Sequence, residues 1–200
     1  MTALAQTQAA AAESTMRLTV PPGLRQDLSA ASLSFVLTDA SRGIGPDTIA
    51  WLKRTADAEG VDSARICIHG DRNDAFHQMI IVQRRGVYCR PHKHLEKAEG
   101  HHIIDGRLAS IVFDDDGRIS DIARLGHDCL IYRIEAGQYH MVYPISDWCI
   151  YHETKPGPFR PDRDAIFPGW APPADDEAGR RRLLRDVERA IQGLSTDRVE

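Results

Sequence analysis

Three histidines and one glutamate are the residues of this chain best suited to chemistry. His92 and His94 form a His-x-His pair, Glu99 follows five residues after His94, and His140 lies in the sequence EAGQYH. Side chains two positions apart in an extended segment project from the same face, so the first two imidazoles can reach one ion. Imidazole and carboxylate groups together suit a single divalent transition metal ion such as iron, zinc, manganese or nickel, and the ligand types do not decide which.

The predicted ligands leave space for a substrate at the metal. Glu99 follows a short turn over residues 95–98, and His140 lies in a later apolar run, so we expect both to return to the same centre from neighbouring strands. A set of three histidines and one carboxylate leaves coordination positions open on a six-coordinate ion. Open positions are a property of reactive metal sites, whereas structural zinc sites are closed.

The stretch around the ligands also carries a longer pattern. Glycines at both ends, Gly86 and Gly106, complete the sequence Gly-x5-His-x-His-x4-Glu-x6-Gly. This pattern resembles the first motif of the cupin superfamily. The second cupin motif usually reads Pro-x-Gly-x2-His-x3-Asn, and this chain keeps its glycine and histidine as Gly137 and His140 but not its flanking residues. The resemblance implies a cupin double-stranded β-helix that binds one metal ion.

More narrowly, the chain resembles the WbuC family of cupin-fold metalloproteins. The resemblance covers roughly residues 64–172. The stretches that carry it are CIHGDRNDAFHQMI (67–80), RPHKHLEKAE (90–99), GRLASIVFDDDGRI (106–119), HETKPGPF (152–159) and FPGWAP (167–172). The family is defined mainly by its fold and by an association with surface-polysaccharide gene clusters. It therefore implies a link to polysaccharide (O-antigen) biosynthesis and a sugar substrate, without a defined reaction.

Three residues near the ligands are candidates for substrate binding. Tyr88 and Arg90 are four and two residues before His92, so in a strand their side chains should project from the same face as His92. Arg90 could bind a carboxylate or phosphate through two parallel hydrogen bonds, or it could pair with an acid at the rim of the barrel. Gln138 shares the parity of His140 and could contact the ligand histidine.

Three further residues are candidates for proton transfer. His69 and His77 belong to the upstream WbuC-like run, and an ordinary pKa near 6.5 would let either carry a proton. Each could equally be a hydrogen-bonded strand histidine. Lys97 lies in the turn between the predicted ligands and is shared with the WbuC family, which supports a pocket role, with plain surface exposure as the alternative. Cys89 is predicted to face away from the ligands, so a catalytic thiol is not expected.

Short apolar runs separated by turn residues must position these groups. The runs recur about every ten residues, which is typical of a jelly roll. They begin at Ser32 and continue as 64–69, 76–83, 87–91, 100–104, 107–114, 118–124, 129–134, 138–143 and 148–153. A helix is predicted from Pro46 to near Gly60, and another up to about Gln192. The expected fold class is all-β with flanking helices, a jelly-roll barrel with one helix before it and one after it.

These elements predict a simple division of the chain. Residues 1–30 should be a flexible tail, with Met16 as an alternative start, and residues 31–62 a strand and helix that lead into the barrel. Residues 63–173 should form the barrel with a proline-rich wrap, and residues 174–200 the C-terminal helix.

Composition excludes several classes of partner. The chain has 200 residues, a formal net charge of -4 and 42% hydrophobic residues. A negative net charge does not favour binding to nucleic acid, and no apolar run is long enough to span a membrane. Four cysteines without a Cys-x2-Cys pair indicate a reducing, cytoplasmic setting. The expected partners are a small-molecule substrate and a second copy of the chain, as a homodimer.

Three functions remain open at this point. A metal-dependent enzyme could isomerise or epimerise a sugar or a related polar metabolite, with the ion as Lewis acid. A non-heme iron dioxygenase would use the same ligands. A non-catalytic protein could use the metal to orient a bound ligand or only to stabilise the barrel.

Overall fold

A computed structural model describes residues 18–38 and 43–194 of the chain. The strands are β1 (Leu24–Gln26), β2 (Leu33–Leu37), β3 (Ser63–Cys67), β4 (Phe76–Arg84), β5 (Glu99–Asp105), β6 (Leu108–Phe113), β7 (Ile119–Leu125), β8 (Ile131–Ile134), β9 (Tyr139–Pro144) and β10 (Trp148–Pro156). The helices are α1 (Pro46–Ala58) and α2 (Glu177–Gly193). The predicted all-β fold with flanking helices is confirmed.

Two sheets form the jelly roll. The larger has seven strands in the order β1-β2-β3-β4-β10-β5-β8, and the smaller has three in the order β7-β6-β9. All pairs are antiparallel except β2 and β3, which run parallel because α1 crosses between them. Strand β10 pairs with β4 on one side and with β5 on the other, although it is the last strand in the sequence.

Side-chain alternation gives each sheet an inner and an outer face. The inner faces meet in an apolar cluster that includes Ile81, Leu108 and Tyr151. Helix α1 covers the outer face of the large sheet, where Leu52 is fully buried. Helix α2 covers the outer face of the small sheet through Val187 and Ile191. Each sheet is therefore covered on its outer face by one helix.

Turn residues fix the strand connections. Gly117 adopts a φ of +85° in the turn between β6 and β7, and Asp114 N donates to Arg118 O at 2.9 Å. Only glycine adopts this backbone conformation without strain. Asp-Gly is a typical hairpin sequence, and β6 pairs with β7 as an antiparallel hairpin across Asp116-Gly117.

Two stretches differ from the predicted elements. Strand β1 lies inside residues 1–30, which were predicted to be a flexible tail, because it pairs along the edge of β2. Residues 87–91 were predicted to be a strand but lie outside the named strands. The predicted tail over residues 1–17 and the end of the predicted C-terminal helix over residues 195–200 fall outside the described residues. Within the described ranges, neither helix combines the length and the apolar character needed to cross a bilayer.

Candidate metal centre

A short antiparallel bridge brings His92 to His140. The His92 N–H donates to His140 O at 3.0 Å, and the His140 N–H donates to His92 O at 2.8 Å. His140 lies in β9 of the small sheet, and His92 lies in the connection between β4 and β5. The backbone of His94 is held in turn, because its carbonyl accepts from Gly137 N at 2.7 Å. The ligand segment is therefore fixed by pairing with residues on both sides of the β8 to β9 turn.

The three histidines form one compact cluster. One ring nitrogen of each of His92, His94 and His140 lies within 4.8 Å of the others. The ring centroids of His92 and His140 are 4.6 Å apart, and those of His92 and His94 are 5.1 Å apart. His94 and His140 are buried, and His92 is partly buried. Three imidazoles at these separations can hold one transition metal ion.

The outer nitrogen of every ring in the cluster lies against a main-chain carbonyl. Nδ1 of His92 is 2.9 Å from Arg90 O, Nδ1 of His140 is 2.9 Å from Gln138 O, and Nδ1 of His94 contacts Asp164 O. A carbonyl only accepts, so each Nδ1 carries the hydrogen. In a neutral imidazole the lone pair then resides on Nε2. This arrangement orients metal-binding histidines in proteins.

Two of the three Nε2 atoms, those of His94 and His140, face the carboxylate of Glu99. Nε2 of His94 is 3.0 Å from Glu99 Oε2, and Nε2 of His140 is 3.7 Å from Glu99 Oε1. Nε2 of His140 is buried and has no hydrogen-bond partner among the described residues. A proton or a cation must separate a neutral imidazole from a carboxylate at such distances. The four residues therefore fit a metal ion on chemical grounds.

Burial sets the protonation of His140. Loss of solvation lowers the pKa of this imidazole to about 4, against the attraction of Glu99. The ring is therefore neutral near pH 7, which is the form that binds a metal.

A second cluster lies directly behind the first. Glu99, His101 and Glu153 bring their polar atoms within 4.8 Å of one another, and His101 Nε2 is 2.7 Å from Glu99 Oε1. Lys155 Nζ lies 3.2 Å from Glu99 Oε2 and 3.0 Å from a Glu153 oxygen. The other ring nitrogen of His101 lies 3.1 Å from Ser110 Oγ on the small sheet. An ammonium group already balances these carboxylates, so this cluster is an ion-pair network.

Opposing influences act on the Glu99 carboxyl. Burial alone would raise its pKa, but the charge of Lys155 and hydrogen bonds with His101 and His94 hold the pKa well below its ordinary value. Glu99 is therefore ionised and lies between the histidine cluster and Lys155.

The predicted substrate-binding residues Tyr88 and Arg90 contact the proline-rich wrap, which is the segment between β10 and α2. The Tyr88 hydroxyl donates to Pro172 O at 2.8 Å, and Arg90 donates to Ala171 O at 3.1 Å. The Arg90 guanidinium also stacks 4.5 Å from the ring centroid of Phe167. Their side chains hold the wrap against the connection that carries the histidines. The acid partner considered for Arg90 at the barrel rim does not occur among the described residues.

Gln138 and Lys97 also have local partners. The Gln138 side chain accepts from Glu135 N at 2.9 Å, and its main-chain carbonyl, not its side chain, meets His140. Lys97 donates to Pro158 O at 2.5 Å and to Asp164 Oδ1 at 2.6 Å. These bonds tie the turn before Glu99 to the wrap that supplies the carbonyl for His94. Lys97 also lines a cavity of about 400 Å³ beside His94.

His69 and His77 lie together, away from the three-histidine cluster. Their rings stack with centroids 4.0 Å apart and an interplanar angle of 10°. Burial lowers the pKa of both imidazoles. They line a second cavity of about 670 Å³, which also contacts Lys155.

Cys89 lies closer to the cluster than its sequence parity predicted. Burial acts to lower the pKa of His92, but a hydrogen bond with Cys89 helps to raise it overall. The expectation that Cys89 faces away is wrong because residues 87–91 do not form a regular strand, so alternation does not apply.

Sequence reasoning missed Lys155, His101 as a partner of Glu99, and Asp164. Lys155 shares the strand parity of Glu153, but the predicted strand ended at Glu153, whereas β10 continues to Pro156. A longer strand prediction would have placed Lys155 on the inner face. The contact between Asp164 O and His94 spans 70 residues, and the sequence carries no signal for it.

Comparison with known proteins assigns no activity to the chain. A family described as a domain of unknown function (DUF6016) matches residues 46–125, which is less than half of the chain. No curated protein matches.

Several solved structures share part of the fold. The capsular polysaccharide assembling protein CapF from Staphylococcus aureus is 17% identical over 48% of this chain and 27% of that chain, with a TM-score of 0.41. KdgF from Halomonas sp. is 13% identical over 50% of this chain and 83% of that chain, with a TM-score of 0.41. Oxalate decarboxylase from Lactobacillus farciminis is 18% identical over 48% and 28%, with a TM-score of 0.38. The matched part spans less than a third of CapF and of the decarboxylase.

The paired sheets and their inner cluster define the class of this protein. It has a jelly-roll fold of two sheets with a histidine and glutamate cluster able to hold a metal ion.

Proposed function

We propose that the protein is a metal-dependent enzyme of the cupin type that acts on a sugar or a related polar metabolite. His92, His94, His140 and Glu99 bind one divalent transition metal ion in this proposal. The observation that carries it is the approach of Nε2 of His94 and of His140 to the ionised Glu99 carboxylate, with every Nδ1 of the cluster held by a carbonyl. When bound, the ion supplies Lewis acidity towards a carbonyl or hydroxyl oxygen, as isomerisation or epimerisation requires.

The residues of the chain have separate tasks around that ion. The three carbonyl contacts hold the imidazole rings in one orientation, which lowers the cost of binding. Burial of His94, Glu99 and His140 excludes bulk water and strengthens the local electrostatic interactions. Lys155 holds Glu99 in the ionised form through Oε2, the oxygen that also faces His94.

Elemental analysis of protein expressed without a histidine tag tests the proposal. Wild type should contain metal close to one ion per chain. His92→Ala and His140→Ala should each lower metal content by more than about tenfold, since loss of a supporting contact alone costs about 10–100-fold in affinity. Exposed His127 provides the matched control, and His127→Ala should leave metal content unchanged. Circular dichroism would show that the fold is retained.

The result also separates the proposed reaction from oxygen chemistry. Zinc, manganese or nickel that is lost in His140→Ala would support Lewis-acid chemistry on a sugar. Iron together with substrate-dependent oxygen uptake would replace that reaction with a dioxygenase. Full occupancy in both alanine variants would overturn the ligand assignment. A wild type without metal after supplementation would overturn the function itself.

We further propose that the chain belongs with the WbuC family in surface-polysaccharide biosynthesis. The family-like runs at residues 67–80 and 152–159 support this, because they supply His77 and Lys155 to the inner face of the large sheet. Deletion of the gene should then change the length or composition of the surface polysaccharide on a gel. An unchanged polysaccharide would contradict the assignment.

A cytoplasmic homodimer is the proposed state of the protein. The outer edge of the large sheet at β8 exposes Leu130 and Ile131, and Ile104 of β5 is also exposed. Exposed apolar groups at a sheet edge favour pairing with another chain. All four cysteines are free thiols, as expected in a reducing compartment. Light scattering should give twice the chain mass, and Ile131→Lys should give the monomer mass.

A further inference from the structure

The cavity lined by His69 and His77 is connected to the histidine centre through Lys155. Its volume is about 670 Å³. The inner-face side chains of four adjacent strands form its floor, from Ser34 of β2 through Arg65 of β3 and His77 of β4 to Lys155 of β10. The loops at residues 27–31 and 69–72 form its walls. The cavity is therefore an extension of the inner face that carries Glu99.

Positive charge dominates the lining of this cavity. Arg25, Arg65, Arg72 and Lys155 contribute four cationic groups. Two carboxylates, Asp27 and Asp71, also line it, and each accepts hydrogen bonds from its own loop, as Asp27 does from Ser29 N at 3.0 Å. Among the described residues none of the three arginines forms an ion pair with a carboxylate. Lys155 already pairs with Glu99 and Glu153, so the excess positive charge of the lining comes from three arginines against two carboxylates.

Arg65 is placed to bind an anion. It is half-buried on the inner face and donates one hydrogen bond, from Nη2 to Ser32 Oγ at 2.5 Å. A guanidinium has five N–H donors in a planar fork that matches carboxylate and phosphate oxygens. Within the described part of the chain, no other acceptor takes the remaining donors.

Flat and apolar surfaces complete the cavity. The stacked rings of His69 and His77 present an imidazole wall, and Val36, Met79 and Phe159 add apolar groups. Burial lowers the pKa of both imidazoles, so the stack is neutral near pH 7 and the excess positive charge of the cavity belongs to the arginines. A few fixed charges among apolar surfaces are typical of small-molecule sites.

Lys155 joins the cavity to the histidine centre. It lines the cavity and lies 3.2 Å from Glu99, which in turn lies 3.0 Å from Nε2 of His94. On β4, Arg65 lies opposite Ile81 and Lys155 lies opposite His77, so their Cα atoms are roughly 16 Å apart across and along the sheet. Both long side chains reach the same cavity, which leaves room between them for a single sugar with an anionic substituent.

We propose that this cavity binds the anionic group, carboxylate or phosphate, of the small molecule on which the histidine centre acts, with Arg65 as its principal partner. The substrate class is therefore an acidic or phosphorylated sugar. That the ligand is a sugar rests on the proposed function. That it carries an anionic group rests on the cavity alone.

Calorimetric titration with three sugars that share one ring tests the proposal. Glucose 6-phosphate and glucuronate probe phosphate and carboxylate, and glucose is the neutral control. Wild type should bind at least one anionic sugar, and it should bind glucose at least about tenfold more weakly. Arg65→Met should raise the Kd for the anion by about 10–100-fold, because charged hydrogen bonds are lost. Arg65→Lys should restore part of the affinity, since it returns the charge without the fork.

Two further variants control for structural damage. Ala31→Asp adds a negative charge at the exposed rim of the cavity and should weaken anion binding severalfold without disturbing a buried group. Arg118→Met removes an exposed arginine from the β6–β7 turn and should leave the Kd unchanged. The inference would be overturned if wild type bound neither anion, or if Arg65→Met and Ala31→Asp both bound as tightly as wild type.

Metal content measured on the same samples separates this inference from the proposed function. Titrations would be run on protein as purified and after chelation. Anion binding that depends on Arg65 in a protein that never holds metal would support the cavity and overturn the metalloenzyme proposal. Stoichiometric metal without anion binding would overturn the cavity alone. Preference for phosphate or for carboxylate would identify the substituent.

Discussion

The histidine centre and the arginine-lined cavity share one inner sheet face, yet they are built in opposite ways. At the centre each imidazole has its Nδ1 held by a carbonyl, and Glu99 contacts His94, His101 and Lys155. In the cavity Arg65 has one hydrogen bond and no ion pair among the described residues. The centre is therefore organised in advance for one small ion, whereas the cavity keeps free donors for a ligand that comes and goes.

The difference follows from where the two regions draw their residues. The centre uses one compact connection and the start of β9, so its ligands come from about fifty residues of chain. The cavity uses β2, β3, β4 and β10 together with two loops. Lys155 belongs to both regions, and the strongest tests of the comparison act on it and on the residues next to it.

The largest effect is expected for Lys155→Met. Glu99 would remain buried without its ammonium partner, and loss of one member of a buried pair costs about 3–5 kcal/mol. The free energy of unfolding of the metal-free protein, measured in urea, should fall by that amount. Bound metal should restore part of the loss, because the ion supplies positive charge to the same carboxylate.

Lys53→Met on α1 is the matched control and should change the free energy of unfolding little, with or without metal. An equal loss for Lys155→Met in the two states would contradict the common contact of Glu99 with the ion and with Lys155.

A smaller effect, confined to the cavity side, is expected for Gly157→Ala. A Cβ at this position would lie 1.7 Å from Asp74 O and 2.7 Å from His77 Nε2, so the backbone or the imidazole must move. Overpacking of this kind costs about 1–3 kcal/mol. Anion affinity should fall while metal content stays unchanged.

Gly169→Ala in the same wrap is the control, since nothing lies within 4 Å of its added Cβ. If Gly157→Ala lowered metal content as strongly as anion affinity, the two regions would not be separable.

The smallest effect is expected for Tyr88→Phe. This change removes the hydrogen bond to Pro172 O and should lower the free energy of unfolding by about 1 kcal/mol. Metal content and anion affinity should both stay as in wild type, because the hydroxyl holds the wrap. Tyr139→Phe serves as the comparison, since its hydroxyl has no hydrogen bond within the described residues. Altered sugar affinity in Tyr88→Phe would restore this residue as a substrate contact.

The sequence predicted the strands of the barrel and the ligand segment well, because both depend on local patterns. Alternation and turn glycines placed β3 to β10 to within a few residues, and the fixed spacing of His92, His94 and Glu99 indicated the centre. The sequence prediction failed where the backbone conformation depends on tertiary contacts. The backbone at residues 87–91 bends to let His92 pair with His140, and that pairing is a tertiary contact.

The cavity could not be predicted in the same way. No sequence pattern links Arg65 to another residue of the cavity. It lines the same cavity as Lys155 because β10 pairs with β4, more than sixty residues earlier in the chain. Pro156 and Pro158 suggested an early end to the last strand, which hid Lys155. The cavity depends on the order of the strands in the sheet, and local sequence periodicity does not predict that order.

The position of β10 has a consequence for synthesis of the chain. On the ribosome, β4 and β5 emerge long before the strand that must lie between them, so both present unpaired edges that are prone to association. The small sheet of β6, β7 and β9 is complete once residue 144 has emerged, and His92, His94 and His140 are all present by then. The segments that carry the three histidines therefore emerge before Lys155, and a metal ion bound at that stage would act as a folding template while the large sheet is still open.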